Sequence, residues 1–191
     1  MKIIAGIYKN RLIKKSVSKK KIDALRPTTA MVRESIFNII NSYMEVQGQD
    51  ITVCSFLDLC CGSGIVGIEA LSRGFKEAYF VDCNKHSLQV LLENIRFIDN
   101  KYYNYSFCKV EKLRFLEQKT FDVIFLDPPY KNLQILDIIT HTRKFMHKDT
   151  LLILELRKSF VFGTPNAFQK CFNKEYSNCQ LIGLKINFNV K

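Results

Sequence analysis

Phe121-Asp122-Val123-Ile124-Phe125-Leu126-Asp127-Pro128-Pro129-Tyr130 joins an apolar run to a turn that cannot continue it. Phe121–Leu126 is too short and too apolar to be anything but a buried strand. The two prolines remove ladder donors and hold the next residues in an extended turn. In an open α/β sheet, ligands bind beyond the carboxyl ends of the strands. At that place stand the Asp127 carboxylate, backbone carbonyls with no competing N–H, and the flat ring of Tyr130. Asp127 and the Pro128 carbonyl can accept hydrogen bonds from an amino group on an aromatic ring, and Tyr130 can stack on that ring. The same residues also suit a plain Pro-Pro turn with Tyr130 as packing, so the rest of the chain has to decide.

Outward from this strand, apolar runs alternate with helical periodicity from Ile51 onward. Strands are predicted at Val53–Leu57, Ala78–Val81, Tyr105–Cys108, Leu151–Leu156 and within Leu181–Phe188. Helices are predicted at Ile65–Ser72, Ser87–Ile98 and Leu133–Phe145, with a helical turn at Lys112–Glu117 and a helix around Asn166–Phe172. Alternation of this kind implies an α/β fold, a doubly wound and mostly parallel sheet. Ahead of it, Lys2–Ile13 reads as a hairpin turning at Lys9-Asn10. A helix carries Val32, Ile36, Phe37, Ile39, Ile40 and Tyr43 at helical spacing, with Thr28 or Thr29 as its cap. The expected division is residues 1–48 as a basic hairpin-plus-helix extension and residues 49–191 as the α/β body, with the seam near 45–51.

The 191 residues suit one domain with a short appendage, and 47% hydrophobic and 25% charged residues are ordinary for a globular protein. Neither a membrane-length apolar run nor a secretory leader opens or crosses the chain, so a cytoplasmic protein is expected. The seven cysteines lack Cys-x-x-Cys spacing and the three histidines do not pair with them, so reduced thiols are expected and no metal site. Net charge is +11, and residues 1–33 hold ten basic residues against one acid, Asp23, so nine of those charges lie there. That asymmetry favours a polyanionic partner over a merely solvated face. Lys9, Arg11, Lys14, Lys15, Arg26 and Arg33 are the candidate phosphate contacts.

After the first predicted strand comes Asp58-Leu59-Cys60-Cys61-Gly62-Ser63-Gly64-Ile65-Val66-Gly67, a literal G-x-G-x-x-G, and Asp82 ends the next strand. This spacing matches a dinucleotide fingerprint. Asp58, four residues before the first glycine, opposes that reading, because its charge would repel a pyrophosphate. S-adenosylmethionine has no phosphate and carries a sulfonium and an α-amino group, both suited to a carboxylate. Asp82 can accept from ribose hydroxyls with either ligand. Glu111 is placed either for an adenine edge or for solvent. Glycine loop and Asp-Pro-Pro-Tyr turn together resemble the class I (Rossmann-like) S-adenosylmethionine-dependent methyltransferases that modify nucleobase amino groups.

Nearly the whole chain resembles the bacterial RsmD-type family of small-subunit (16S) ribosomal RNA guanine-N2 methyltransferases. The resemblance rests on Ile3-Ile4-Ala5-Gly6-Ile7-Tyr8-Lys9-Asn10-Arg11, on Arg26-Pro27-Thr28-Thr29 with Val32–Asn38, on Asp58 through Gly74, on Asp127–Tyr130 and on Glu155. Cys60-Cys61 stands where the family usually has Phe-Ala, Asp82 where it commonly has Glu, and Glu111 where Asp or Asn is frequent. The resemblance implies Asp127, Pro128, Pro129 and Tyr130 as catalytic residues. It implies Asp58, Cys60, Gly62, Ser63, Gly64, Asp82 and Glu111 as binding residues for S-adenosylmethionine, with S-adenosylhomocysteine as product and no metal. Small-subunit ribosomal RNA or the subunit itself would be the partner, met by a monomer. A DNA adenine methyltransferase, a protein-glutamine methyltransferase, a non-catalytic RNA-binding protein on this fold and a nicotinamide dehydrogenase are the alternatives.

Overall fold

The computed structural model describes residues 1–16, 28–113, 119–128 and 135–188. Its centre is a seven-stranded sheet: β1 (Ser55–Leu59), β2 (Glu77–Asp82), β3 (Tyr103–Phe107), β4 (Phe121–Leu126), β5 (Met146–Arg157), β6 (Phe168–Glu175) and β7 (Cys179–Ile186), in the order β3-β2-β1-β4-β5-β7-β6. β1 to β5 run parallel, and β7 enters antiparallel between β5 and β6. Strand order reverses between β1 and β4, the switch point at which ligands of such sheets bind.

Both faces are covered, and therefore all five residues of β1 are buried and read as one continuous run. On one face α1 (Ala30–Gln47), α2 (Ile65–Ser72) and α3 (Lys85–Asn94) pack with Phe56, Phe80 and Phe125. On the other, α4 (Ile135–Thr142) packs with Leu57, Leu59, Ile124 and Leu126. None of the described helices is long and apolar enough to cross a membrane.

The N-terminal segment is hairpin-like, with an antiparallel bridge between Lys2 and Leu12 and a left-handed Asn10 at its turn. Thr29 caps α1 by accepting the Val32 amide hydrogen at 3.3 Å, which is worth about 1 kcal/mol. Ile3, Ile13, Ile36, Phe37 and Ile40 belong to the same apolar cluster as Phe56 and Phe80. Residues 45–51 therefore do not separate two cores.

Three elements differ from the sequence reading. Asp50 caps a 3-10 turn at Ile51–Val53 by accepting the Thr52 amide hydrogen, so β1 starts two residues later and Asp58 lies within it. The helix expected around Asn166–Phe172 is the edge strand β6 instead. Its Phe172 ring sits over Gly183 of β7, where a Cβ would lie 2.0 Å from the ring. Cross-strand pairing outweighs the local helical pattern there. The helix expected at Leu133–Phe145 is α4 followed by a 3-10 turn at Arg143–Phe145, and its first residues lie outside the described ones. So does most of the predicted turn at Lys112–Glu117, of which a 3-10 turn at Val110–Lys112 is described.

Candidate cofactor and acceptor site

Alternation along a strand sends successive side chains to opposite faces. Leu57, Leu59, Val81, Leu126, Leu154 and Leu156 all belong to the cluster under α4. Their neighbours Asp58, Asp82, Asp127 and Glu155 therefore turn toward the face of α1, α2 and α3. Four carboxyls from β2, β1, β4 and β5 thus line the carboxyl ends of adjacent strands, two on each side of the switch point.

The glycine loop is built around the first two of them. Asp58, 1% exposed, accepts the Gly67 amide hydrogen at 2.9 Å, and Asp82 accepts those of Gly62 and Asn84 at 2.8 and 2.7 Å. Cys60 is left-handed at φ 60°, an uncommon conformation for a residue with a side chain, and Gly62 and Gly64 follow at φ 56° and 77°. A Cβ on Gly64 would lie 2.3 Å from Leu91, and one on Gly67 would lie 2.4 Å from Phe80, so these two glycines let α2 press onto the sheet and α3. A Cβ on Gly62 would meet nothing within 4 Å. That glycine presents bare backbone to open space. Ser63 is buried, and its carbonyl accepts a hydrogen from Asn94 at 2.9 Å.

Burial raises the Asp58 carboxyl to about 7, against the pull of the Gly67 amide, and it raises Asp82 as well. Burial also pushes the Cys60 and Cys61 thiols far up, so neither is a thiolate nucleophile. Asp127 follows the Leu126–Leu154 pair, its amide directed at the Leu59 carbonyl at 3.5 Å. One of its oxygens, Oδ1, is buried with no hydrogen-bond partner among the described residues. Its carboxyl is raised well above the usual range by burial, then by Glu155 and Asp58. Pro128 is buried. Pro129, Tyr130 and Arg26 lie outside the described residues, as does the side chain of Glu111.

The donor set fits a cationic ligand: bare backbone at Gly62, acceptors on Asp58 and Asp82, and an orphaned buried oxygen on Asp127. It does not fit a pyrophosphate, which would face this row of carboxyls. Among the described residues no three His, Cys, Asp or Glu side chains are grouped as a metal ion would need.

The basic candidates divide. Lys9, Arg11, Lys14 and Lys15 are exposed. Arg11 lies over the Phe97 ring at 3.8 Å, and Lys14 pairs with Glu93 at 2.6 Å. Arg33 is not on the surface. It is 2% exposed and donates to the carbonyls of Thr28 and Lys2 at 2.7 and 2.8 Å, so it fastens the hairpin to α1 and is corrected from a phosphate contact to a structural one. Two residues that the sequence reading did not place at the site contact it. Thr28 donates to Glu155 at 2.8 Å, and Asn94 holds the glycine loop. Only the strand-end position of Glu155 hinted at this; for Asn94 the sequence carries no signal.

The family described as Conserved hypothetical protein 95 matches residues 1–184. The chain is 34% identical over 161 residues to the putative rRNA methyltransferase YlbH of Bacillus subtilis, covering 81% of this chain and 82% of that one. It is 30% identical over 165 residues to the ribosomal RNA small subunit methyltransferase D of Buchnera aphidicola, covering 82% and 78%. In fold it is similar to a putative methyltransferase, yhhF, from Escherichia coli, with a TM-score of 0.77 and 21% identity over 98% of both chains. A Rossmann-like sheet with a glycine loop and Asp127-Pro128 following β4 at its switch point, together with these matches, makes the chain a member of the RsmD-type ribosomal RNA methyltransferase family.

Proposed function

We propose that this protein transfers the methyl group of S-adenosylmethionine to the exocyclic 2-amino group of a guanine in small-subunit ribosomal RNA. The observation that carries the reading is the row of four carboxyls at the switch point of a protein whose net charge is +11. A basic surface suits a nucleic acid, while a row of carboxyls suits a cation. Relatives named as ribosomal RNA small subunit methyltransferases support the substrate class, and the Asp-Pro-Pro-Tyr motif supports an amino acceptor.

When bound, the cofactor supplies an electrophilic methyl on a positively charged sulfur. The chain's residues do the rest by orientation, the main resource of a direct displacement. Gly62 and Gly64 would let the backbone approach the methionine portion, Asp58 would accept from its cationic groups and Asp82 from the ribose hydroxyls, with Cys60 and Ser63 shaping the loop between. Glu111 would serve the adenine. Asp127 and the Pro128 carbonyl would accept the hydrogens of the guanine amine and so orient its lone pair. Pro129 would restrict the turn, and Tyr130 would stack on the base after it leaves its helix or loop. Lys9, Arg11, Lys14, Lys15 and Arg26 would contact phosphates.

The test offers radiolabelled S-adenosylmethionine with unmethylated small subunits, naked small-subunit RNA and duplex DNA. Label recovered as guanine methylated on its 2-amino group is the expected result. Label only in DNA adenine, or none in any substrate, would overturn the proposal.

A further inference from the structure

Glu155 is one of the four carboxyls at the switch point, yet the reading above gives it no role of its own. It lies on β5 directly after Leu154, which pairs with Leu126, so it is the in-register neighbour of Asp127 on a strand about 4.8 Å away. It is 6% exposed. Thr28 donates its hydroxyl hydrogen to Glu155 Oε2 at 2.8 Å. The Thr28 carbonyl accepts from Arg33 Nη1 at 2.7 Å, and Arg33 Nη2 reaches the Lys2 carbonyl at 2.8 Å. A polar chain therefore runs from the N-terminal hairpin through α1 to β5 and stops beside Asp127.

We propose that Glu155 is a positioning residue for Asp127, and that the two carboxyls hold a single proton which is released when the cationic cofactor binds. The proposal rests on the reading of this site as a site for S-adenosylmethionine.

The asymmetry between the partners supports it. Glu155 has donors: Thr28, the Cys179 thiol from β7, and the charge of Arg33 from α1. Burial and the adjacent Glu155 push that thiol up to about 12, which keeps it a donor. Asp127 has none of these. Among the described residues its buried Oδ1 is unpaired, and its charged neighbours are carboxyls, Glu155 and then Asp58 of β1. Two such groups side by side in a buried site cannot both ionise without a large cost. In the ligand-free protein the negative charge therefore sits on Glu155 and the proton on Asp127. A sulfonium bound beside the pair offsets the second charge, and Asp127 ionises.

This makes Asp127 an acceptor only when a methyl donor is present. Once the amine lone pair has formed the N–C bond and the C–S electron pair has stayed on sulfur, the nitrogen is positive. Asp127 takes the proton that nitrogen must lose, and the pair returns to its one-proton state while the sulfur becomes neutral.

The experiment is calorimetric titration of the full chain with S-adenosylmethionine and with S-adenosylhomocysteine at pH 8, in buffers of low and high ionisation enthalpy, which counts the protons exchanged. Asp58 is mostly ionised at that pH, and subtracting the count for Glu155→Gln removes its remainder and that of the cofactor's own amine. Wild type is expected to release on the order of one proton more than Glu155→Gln with S-adenosylmethionine, and no more than it with the neutral product. Equal counts, with both proteins binding, would overturn the proposal; a merely structural Glu155 gives that result. Should the variant fail to fold, infrared difference spectra of wild type decide. The band of a protonated carboxyl at pH 8 must bleach with S-adenosylmethionine and persist with the product, and its absence from the ligand-free protein overturns the proposal. If neither ligand binds wild type, the cofactor reading of the site has failed, and the proposal with it.

Discussion

The Asp58 carboxylate accepts the Gly67 amide hydrogen at 2.9 Å, which pins the end of β1 to the first turn of α2. The bond is buried, and burial raises the carboxyl from 3.8 to about 7. The folded protein therefore holds this proton more tightly than the unfolded chain does. Asp58's contribution to stability is greatest below about pH 4, declines as pH rises, and is exhausted above about pH 7, at up to about 1.4 kcal/mol per unit. Asp58→Asn keeps an acceptor for Gly67 and removes the titration. Ligand-free Asp58→Asn should gain in Tm relative to wild type between pH 5 and 7.5. Parallel Tm curves for the two proteins would show that Asp58 is not titrating in this range.

Gly6 and Ser72 fix how the hairpin meets α2. The Ile7 amide donates to the Ser72 carbonyl at 2.8 Å, and the Tyr8 amide to the Ser72 hydroxyl at 3.0 Å. Gly6 has φ 81°, and a Cβ there would lie 1.7 Å from the Ser72 carbonyl oxygen. Gly6→Ala should destabilise by about 3 kcal/mol or more, through strain and collision together. Gly48→Ala is the contrast. Its φ is 65°, but a Cβ meets nothing within 4 Å, so about 1 kcal/mol of backbone strain is expected. Denaturant midpoints should rank the two in that order; the reverse order would contradict this account of the docking.

Arg33 and Lys15 should separate stability from RNA affinity. Arg33→Ala strands the carbonyls of Lys2 and Thr28 and should cost about 2–4 kcal/mol. Lys15 is exposed, so Lys15→Ala should change stability by less than about 0.5 kcal/mol. If Lys15 neutralises a phosphate, its loss lowers the slope of log affinity against log salt by about 1. Binding to small-subunit RNA between 50 and 200 mM salt, in round figures chosen for that slope, is the measurement. An unchanged slope for Lys15→Ala would remove this residue from the interface.

Much of this was legible because the central parallel strands β1 and β4 are buried on both faces. Phe121–Leu126 can only be a central strand, and the prolines after it mark where a ligand can sit. What escaped the sequence depends on partners far along the chain. Phe168–Glu175 becomes a strand because Gly183 makes room for Phe172. Arg33 looks like a surface cation until Lys2 and Thr28 are seen to surround it. Glu155 is recognisable at a strand end, but its link to Thr28 spans 127 positions and has no local pattern.

Asn94, at the end of α3, tests the glycine loop from behind. It is buried, and its two amide hydrogens go to the carbonyls of Ser63 at 2.9 Å and Lys14 at 3.0 Å. Its oxygen accepts the Lys14 amide hydrogen at 2.8 Å. The basic N-terminal segment and the cofactor loop thus share one side chain. Asn94→Asp keeps the acceptor but turns a charged oxygen toward two carbonyls, so Ser63 and the loop should shift. We expect S-adenosylmethionine to bind about tenfold more weakly, equivalent to about 1.4 kcal/mol, together with a lower Tm. Lys14→Ala is the control. Within the protein it removes the exposed pair with Glu93 and leaves the backbone contacts to Asn94, so cofactor affinity and Tm should stay near wild type. A lower Tm with unchanged cofactor affinity in Asn94→Asp would mean that the loop keeps its position without this contact, and that Asn94 serves the fold alone.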